Sequence, residues 1–207
     1  MKSVYRIFVV LFIFAFVLSA CGGTAPAKTF KAEDFKPATL GAADFPEGFQ
    51  MLSQDEALAM GFDISTFEGS LSAFTSAKPV NTIVAVNSNI DAFQFAVAFV
   101  LAPMTQDEVG AFDKELNDPE KAKTEFAQGL GGEATFLAGA DKIGDKSIGF
   151  DLTIASEGLT LRGELVIVRR GVALQMVILL WLDGGVKEVN TVDLAKKLDA
   201  KLADIQK

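Results

Sequence analysis

The sequence predicts an α+β fold: one domain with a mostly antiparallel β-sheet, helices packed on it and a helix at the C-terminus. Two patterns predict this class. Several segments alternate apolar and polar residues with a period of two and are joined by short turns, which is typical of antiparallel strands. Two capping boxes and one apolar stripe at helical spacing indicate helices between and after those strands. The 207 residues contain no evident internal repeat or second domain.

The first 20 residues have the layout of a secretory signal peptide. Lys2 and Arg6 precede an unbroken apolar run from Ile7 to Leu18, and small residues follow it. A positive start, an apolar middle and a small-residue end are the three parts of such a signal. The run of 12 residues is shorter than the roughly 20 apolar residues that a membrane-spanning helix needs. Residues 1–20 are therefore predicted to be a signal peptide.

The residues Leu18-Ser19-Ala20-Cys21 resemble the lipobox of bacterial lipoprotein precursors. In that family the cysteine thiol receives a diacylglycerol group, and the chain is cut just before the cysteine. The resemblance implies lipidation of Cys21 and a membrane as partner: the mature chain would be anchored by its lipid on the extracytoplasmic face, in the bacterial cell envelope. The alternatives are an uncleaved anchor and an ordinary signal peptide with an incidental cysteine.

The composition excludes several classes of function. The mature chain of 187 residues would carry a net charge of −10, and such a surface repels nucleic acid. The sequence has no histidine, and Cys21 is its only cysteine. Ser-His-Asp and Cys-His catalytic sites and His or thiolate metal sites are therefore excluded. We expect no catalytic residue, no cofactor and no metal.

Residues 21–38 are predicted to be a lipidated tether, because Gly, Pro, Ala and Lys dominate them without a sustained period. The globular domain is predicted to span 39–207. Its first helix, over 54–60, is indicated by a capping box of Ser53 with Glu56 and is closed by Gly61.

Strands are predicted next, around residues 71–75, over 81–86 and over 92–102. In the third of these, large and small residues alternate. The large face consists of Phe93, Phe95, Val97, Phe99 and Leu101, and the other of Ala92, Gln94, Ala96, Ala98, Val100 and Ala102. We expect the large face to point into the core and the small face to lie close to a helix.

A broken helix pair is predicted over 105–129. Thr105 and Glu108 form a second capping box, and Pro119 restarts the helix at a first-turn position. Leu130-Gly131-Gly132 ends it.

A four-strand meander is predicted over 133–182. Its last hairpin is predicted to turn at Arg170-Gly171, which pairs Val168 with Ala173 and Arg162 with Leu179. Thr191 is expected to cap a last helix that ends at Lys207 and carries an apolar stripe of Leu194, Leu198, Leu202 and Ile205.

The best candidate for a ligand pocket is a polar group on the less apolar face of that hairpin. It consists of Arg162, Glu164, Gln175 and Trp181. Two charges beside an indole could hold a small polar ligand. The alternative interpretation is a surface ion pair, worth about 0–1 kcal/mol, beside a half-covered tryptophan.

Two glycine-containing segments fail as ligand loops. Residues 129–132 read GLGG, lack the Lys-Ser/Thr of a phosphate loop and precede a strand rather than a helix. Asp141 and Asp145 flank a glycine, but the closing glutamate of a calcium loop is missing. We interpret both as turns.

From Ala92 onward the chain resembles bacterial lipoproteins of uncharacterised function. They carry a turn with the pattern of Gly144, Asp145, Ser147 and Gly149, then a VRRG hairpin (168–171), then a closing helix. The layout is also distantly similar to PsbP-like domains and to extracytoplasmic sensor domains of receptor kinases, although the paired cysteines of the latter are absent. These resemblances imply a fold and transfer no functional residue.

Two functions remain open. The first is a non-enzymatic binding or accessory lipoprotein that contacts another envelope protein or a ligand. The second is a carrier of lipid or another hydrophobic ligand, because 14 phenylalanines remain in the mature chain. In that case Phe93, Phe95 and Phe99 would line a cavity. The alternative interpretation of these residues is ordinary core packing.

Overall fold

The computed structural model describes residues 28–62, 64–65, 75–130, 132–156 and 159–207. The predicted signal peptide, the lipobox with Cys21, residues 21–27 of the predicted tether and most of the strand expected around 71–75 lie outside the described residues. The chain divides into two compact units, Met1–Phe30 and Lys31–Lys207, and the description that follows concerns the second.

One seven-stranded antiparallel sheet organises this unit, which confirms the α+β prediction. The strand order is β1-β2-β3-β7-β6-β5-β4, so β7 lies between β3 and β6. The strands are β1 (Phe49–Leu52), β2 (Pro79–Asn87), β3 (Gln94–Leu101), β4 (Gly132–Phe136), β5 (Lys146–Ser156), β6 (Leu159–Arg170) and β7 (Ala173–Leu182). Every neighbouring pair of these strands runs antiparallel.

Four helices of the described residues pack on this sheet. They are α1 (Gln54–Ala59), α2 (Gln106–Glu115), α3 (Pro119–Leu130) and α4 (Thr191–Ile205). Both predicted capping boxes are confirmed at the starts of α1 and α2. The cap of α4 was predicted one residue too late. The side chain of Asn190 accepts a hydrogen bond from the N–H of Asp193, and Thr191 is the first helical residue.

The two faces of the sheet bury different kinds of side chain. One face is a large apolar core to which β3 contributes Phe95, Val97, Phe99 and Leu101, as predicted. Phe112 of α2 and Ala122 of α3 belong to the same core. The opposite face of β3 is small and buried, also as predicted. On that side of the sheet, α4 packs against β6 and β7 through its buried stripe of leucines.

The β6–β7 hairpin has a register different from the predicted one. The turn is Gly171-Val172, so Arg170 pairs with Ala173 and Arg162 pairs with Trp181. Gly171 has a φ of 53°, a left-handed value that glycine adopts without strain. The glycine therefore takes the first turn position rather than the second. Because the resulting shift is two residues, every side chain keeps its predicted face.

The compact unit begins at Lys31, eight residues before the predicted domain start at residue 39. Phe35 and Ala38 are completely buried. The Nδ2 group of Asn81 lies 3.2, 3.0 and 2.8 Å from the carbonyl oxygens of Phe35, Lys36 and Ala38. The buried side chains of Phe35 and Ala38 and the side-chain amide of Asn81 thus fix a segment that has no periodic sequence pattern of its own.

Within the described ranges, no helix is both long enough and apolar enough to cross a bilayer.

Candidate functional site

A row of mostly polar residues crosses the sheet at one end of its strands. Direct cross-strand pairing places six side chains in this row, and paired residues share a face of the sheet. We call them the polar row: Glu133, Thr153, Arg162, Trp181, Gln94 and Asn87. The row lies on the same face as α4, beyond the part of the sheet that this helix covers.

The β7–α4 loop is fixed on the buried half of the polar row. The Oε1 atom of Gln94, which is fully buried, accepts hydrogen bonds from the N–H groups of Glu188 and Val189 at 3.1 and 3.2 Å. Its Nε2 atom donates to the carbonyl of Val186 at 3.1 Å. Asn87 donates to the Glu188 carboxylate at 2.9 Å. Both ends of the Gln94 amide are thus satisfied, and this half of the row is structural.

Glu164 is buried, with 5% of its surface exposed, and its partner comes from that same loop. Its Oε1 atom lies 2.5 Å from the Nζ atom of Lys187. The Lys187 ammonium also lies 5.5 Å from the centre of the Trp181 ring, within cation–π range. Glu164 and Trp181 are therefore neighbours, as predicted, with Lys187 joining them.

Arg162 pairs with a carboxylate other than the expected one. Its guanidinium donates to the Asp151 Oδ1 atom at 3.2 Å and to the Thr153 hydroxyl at 2.9 Å. The side chains of Arg162 and Asp151 are 35% and 34% exposed. With the exposed Glu133 and Thr135, these groups form an accessible polar surface over β4, β5 and β6.

Gln175 does not belong to this group. It lies six residues from Trp181 along β7, roughly 20 Å away. It is fully buried under α4, where its Nε2 atom donates to the carbonyl of Ala195 at 3.0 Å. Its Oε1 atom has no partner among the described residues. Of the four predicted pocket residues, Arg162, Glu164 and Trp181 come together and Gln175 does not.

A second polar cluster explains the turn and hairpin motifs seen in the sequence. The Asp145 carboxylate accepts hydrogen bonds from Arg169 at 3.1 Å, from Arg170 at 3.2 Å and from the Gly171 N–H at 2.7 Å. Arg169 also binds Asp113 of α2. Arg170 also binds Asp199 of α4, and this hydrogen-bonded carboxylate raises the pKa of the Arg170 guanidinium. The cluster thus ties helices on both faces of the sheet to one hairpin.

Gly144 lets the Asp145 turn approach that hairpin. Its φ is 64°, and a Cβ atom there would lie 2.4 Å from Val168 Cγ1 and 2.6 Å from the Arg169 carbonyl oxygen. Only glycine fits this position without displacing main chain. Asp145 lies in a turn, as predicted, and its carboxylate holds that turn to the hairpin. The part of the chain that the structure describes holds no group of three or more acidic, His or Cys residues that could bind a metal.

The phenylalanine stripe of β3 packs against other rings. Phe62 stacks on Phe95 with ring centres 3.8 Å apart, and its centre lies 6.2 Å from that of Phe93. Phe95 and Phe99 are completely buried. On the β5 side, Phe126 lies 5.3 Å from Phe150. At the positions where the carrier hypothesis requires a cavity lined by phenylalanines, the rings are in direct contact with one another.

Comparisons of the chain with protein-family models, with curated proteins and with solved structures give no match.

Proposed function

We propose that this chain is a bacterial lipoprotein precursor whose mature α+β domain is held at the extracytoplasmic face of a membrane by lipid on Cys21. In the cell envelope it acts as a non-enzymatic binding or accessory protein. The observation that carries the anchor is the Leu18-Ser19-Ala20-Cys21 sequence directly after an apolar run of signal-peptide length. An acyl anchor of two or more chains holds a protein stably on a bilayer.

Binding is favoured over catalysis by the groups available for chemistry. Without histidine, a general base near neutral pH would have to be a perturbed carboxylate or lysine. The buried carboxylates Glu164 and Asp199 are each held by a cation, and Asp145 is held by two arginines. These groups stabilise the fold instead of facing a substrate.

The accessible end of the polar row, together with the neighbouring Thr135 and Asp151, is the surface that we assign to binding. Glu133, Thr135, Asp151, Thr153 and Arg162 offer both charges and two hydroxyls on a rigid sheet. Sheet-borne side chains are held more precisely than loop side chains, which suits recognition of a polar partner. An envelope protein or a small polar ligand would fit this chemistry.

The carrier hypothesis has less support. Phe62, Phe95 and Phe99 pack as core residues, and the apolar face of the sheet is covered by α2 and α3. Native mass spectrometry of the purified full chain tests it. We expect no co-purified lipid beyond the anchor itself. A stoichiometric lipid that persists in a Cys21→Ser variant would favour the carrier.

The anchor is tested by acylation and fractionation. Cys21→Ser should abolish incorporation of a labelled fatty acid and processing of the precursor. Ser19→Ala is a matched control because it keeps a small residue in the lipobox, and it should be processed normally. A Cys21→Ser protein that is still acylated and processed would contradict the proposal.

A further inference from the structure

β4 is one of the two edges of the sheet, and its outer main-chain groups can be identified. The N–H of Leu137 donates to the carbonyl of Gly149 at 2.9 Å. Residues of an antiparallel strand alternate between bonding to the neighbour and pointing away from it. Thr135 and Glu133 therefore bond to β5, while the N–H and C=O groups of Ala134 and Phe136 point outward from the sheet.

The sequence of this edge strand carries little of the protection that edge strands usually have. Exposed edges are commonly blunted by lysine, proline or a bulge. Gly132–Phe136 contains neither residue, and its pairing with β5 has no bulge. Phe136 is 44% exposed, and the Lys123 ammonium of α3 lies 4.9 Å from its ring centre. The other edge strand, β1, is only four residues long, and the N–H of its Phe49 is turned to the carbonyl of Pro46.

We propose that β4 pairs antiparallel with β4 of a second copy of this chain, with Ala134 opposite Phe136 of the second copy. This alignment uses both outward-facing residues of each strand and forms about four main-chain hydrogen bonds. Gly132 is not used in this alignment; it lies so close to β5 that a Cβ atom there would meet the Thr153 carbonyl oxygen. The sheets of the two copies would then form one continuous antiparallel sheet.

The side chains fit this alignment. Each exposed Phe136 ring lies over the small Ala134 of the second copy, and the two Thr135 residues face each other at the two-fold axis. The only charged residue of the strand, Glu133, lies opposite Leu137. Its distance from Glu133 of the second copy is four residue steps, roughly 13 Å. The like charges of the two strands are therefore kept apart. The orientation of the Phe136 ring is already restricted in the single copy, because the ring contacts Phe150 with ring centres 5.9 Å apart.

Four hydrogen bonds and two partly exposed rings make a weak pair in dilute solution. Attachment to one membrane confines copies to a surface and raises their effective concentration. Self-association does not require the lipid anchor, but the anchor would raise the fraction of paired copies.

Site-specific disulfide formation tests the alignment. In the full chain in detergent, Cys21→Ser/Thr135→Cys leaves a single cysteine. Facing residues at a position of this kind have Cα atoms about 4.5 Å apart, within the range that a disulfide spans. We expect mild oxidation to cross-link this variant at least about tenfold faster than the matched control Cys21→Ser/Glu133→Cys. Equal rates in the two variants would overturn the proposed pairing.

Molar mass by light scattering provides a second test that no cysteine affects. The mass of the Cys21→Ser chain should rise from one copy toward two as its concentration approaches about 1 mM. Phe136→Lys should hold it at one copy, because a charge on an edge blocks pairing. Met51→Lys, a comparably exposed residue on the other edge, should not change the association. A single-copy mass for the unsubstituted edge at every concentration would overturn the proposal. Because these variants lack Cys21, that result would leave the proposed lipid anchor untouched.

Discussion

Glu108 is a capping residue whose carboxylate also joins distant segments of the chain. Its carboxylate accepts hydrogen bonds from the N–H groups of Ser76 and Thr105 and from the hydroxyls of Thr75 and Thr105. These donors, the Ser76 N–H above all, lower the pKa of Glu108 from its ordinary 4.5 to about 2. One capping side chain therefore also holds the segment before β2.

The depressed pKa predicts a pH-dependent contribution to stability. Because the folded-state pKa lies below that of the unfolded chain, the contribution is complete above about pH 4.5 and is lost as the pH falls through about 2. Glu108→Gln should lower the free energy of unfolding by about 1–2 kcal/mol at pH 7, after solvent screening is allowed for, and by much less at pH 2. Urea unfolding at both pH values measures this. Glu56→Gln, in a capping box without the Ser76 contact, is the control and should show a smaller change. A pH-independent effect of Glu108→Gln would contradict the prediction.

At Gln175 we expect a substitution to raise the free energy of unfolding instead of lowering it. Its amide is fully buried, and its Oε1 atom has no partner among the described residues. An unsatisfied buried polar atom costs more than one neutral hydrogen bond contributes. Gln175→Met, which keeps the side-chain length, should raise the free energy of unfolding by about 1 kcal/mol. A loss of similar size in urea unfolding would show that an ordered water satisfies the Oε1 atom.

At the scale of elements, the Asp145 cluster joins more parts of the fold than any helix cap. The carboxylate holds Arg169 and Arg170, which also bind α2 and α4. Asp145→Ala leaves two arginines with fewer acceptors, and the Arg169 side chain is only 11% exposed. We expect a loss of about 2–3 kcal/mol in the free energy of unfolding. Asp141→Ala, at an exposed neighbour before the same strand, should change it by less than about 0.5 kcal/mol. Equal effects in urea unfolding would contradict a bridging role.

The elements themselves were largely predictable, because their signals are local. Alternation in β3 and the capping boxes of α1 and α2 specify an element within a few residues. The hairpin alignment was missed by two residues because a left-handed glycine can take either turn position. The contacts around Gln94 and Lys187 were missed for a different reason. They depend on β7 lying beside β3 and on a loop returning across the sheet, and no local pattern encodes either.

For the same reason the candidate site was only partly predictable. Arg162, Glu164 and Trp181 were grouped correctly, since they occupy one end of a single hairpin. The carboxylate beside Arg162 comes from β5, as Asp151, and the cation beside Glu164 comes from a loop. Gln175 shares their face, but distance along the strand separates it from them. The face of the sheet on which a side chain lies follows from the period of two along its strand. Which side chains lie close together also depends on their positions along the strands and on the order of the strands in the sheet.

For the whole molecule, the important boundary is where the compact unit begins. The buried Phe35 and Ala38 extend it to Lys31, which shortens the tether that composition alone suggests. Tether length decides how far the domain can stand from a membrane if Cys21 is its anchor. The contact that decides it is the Asn81 amide on the carbonyls of Phe35, Lys36 and Ala38.

Asn81→Ala should therefore release the N-terminal segment and leave the sheet intact. Losing the amide removes a hydrogen-bond donor from these main-chain carbonyls and should cost about 1–2 kcal/mol locally. Hydrogen exchange with mass spectrometry measures the result over residues 31–40, which contain the segment. Exchange of its protected main-chain N–H groups should be slow in the parent chain and about tenfold faster in the variant, since exchange follows the population of the locally open form. Asn89→Ala, in the β2–β3 connection, is the matched control and should leave that rate unchanged. Equal exchange over residues 31–40 in the parent chain and in Asn81→Ala would mean that Phe35 and Ala38 hold the segment without the amide.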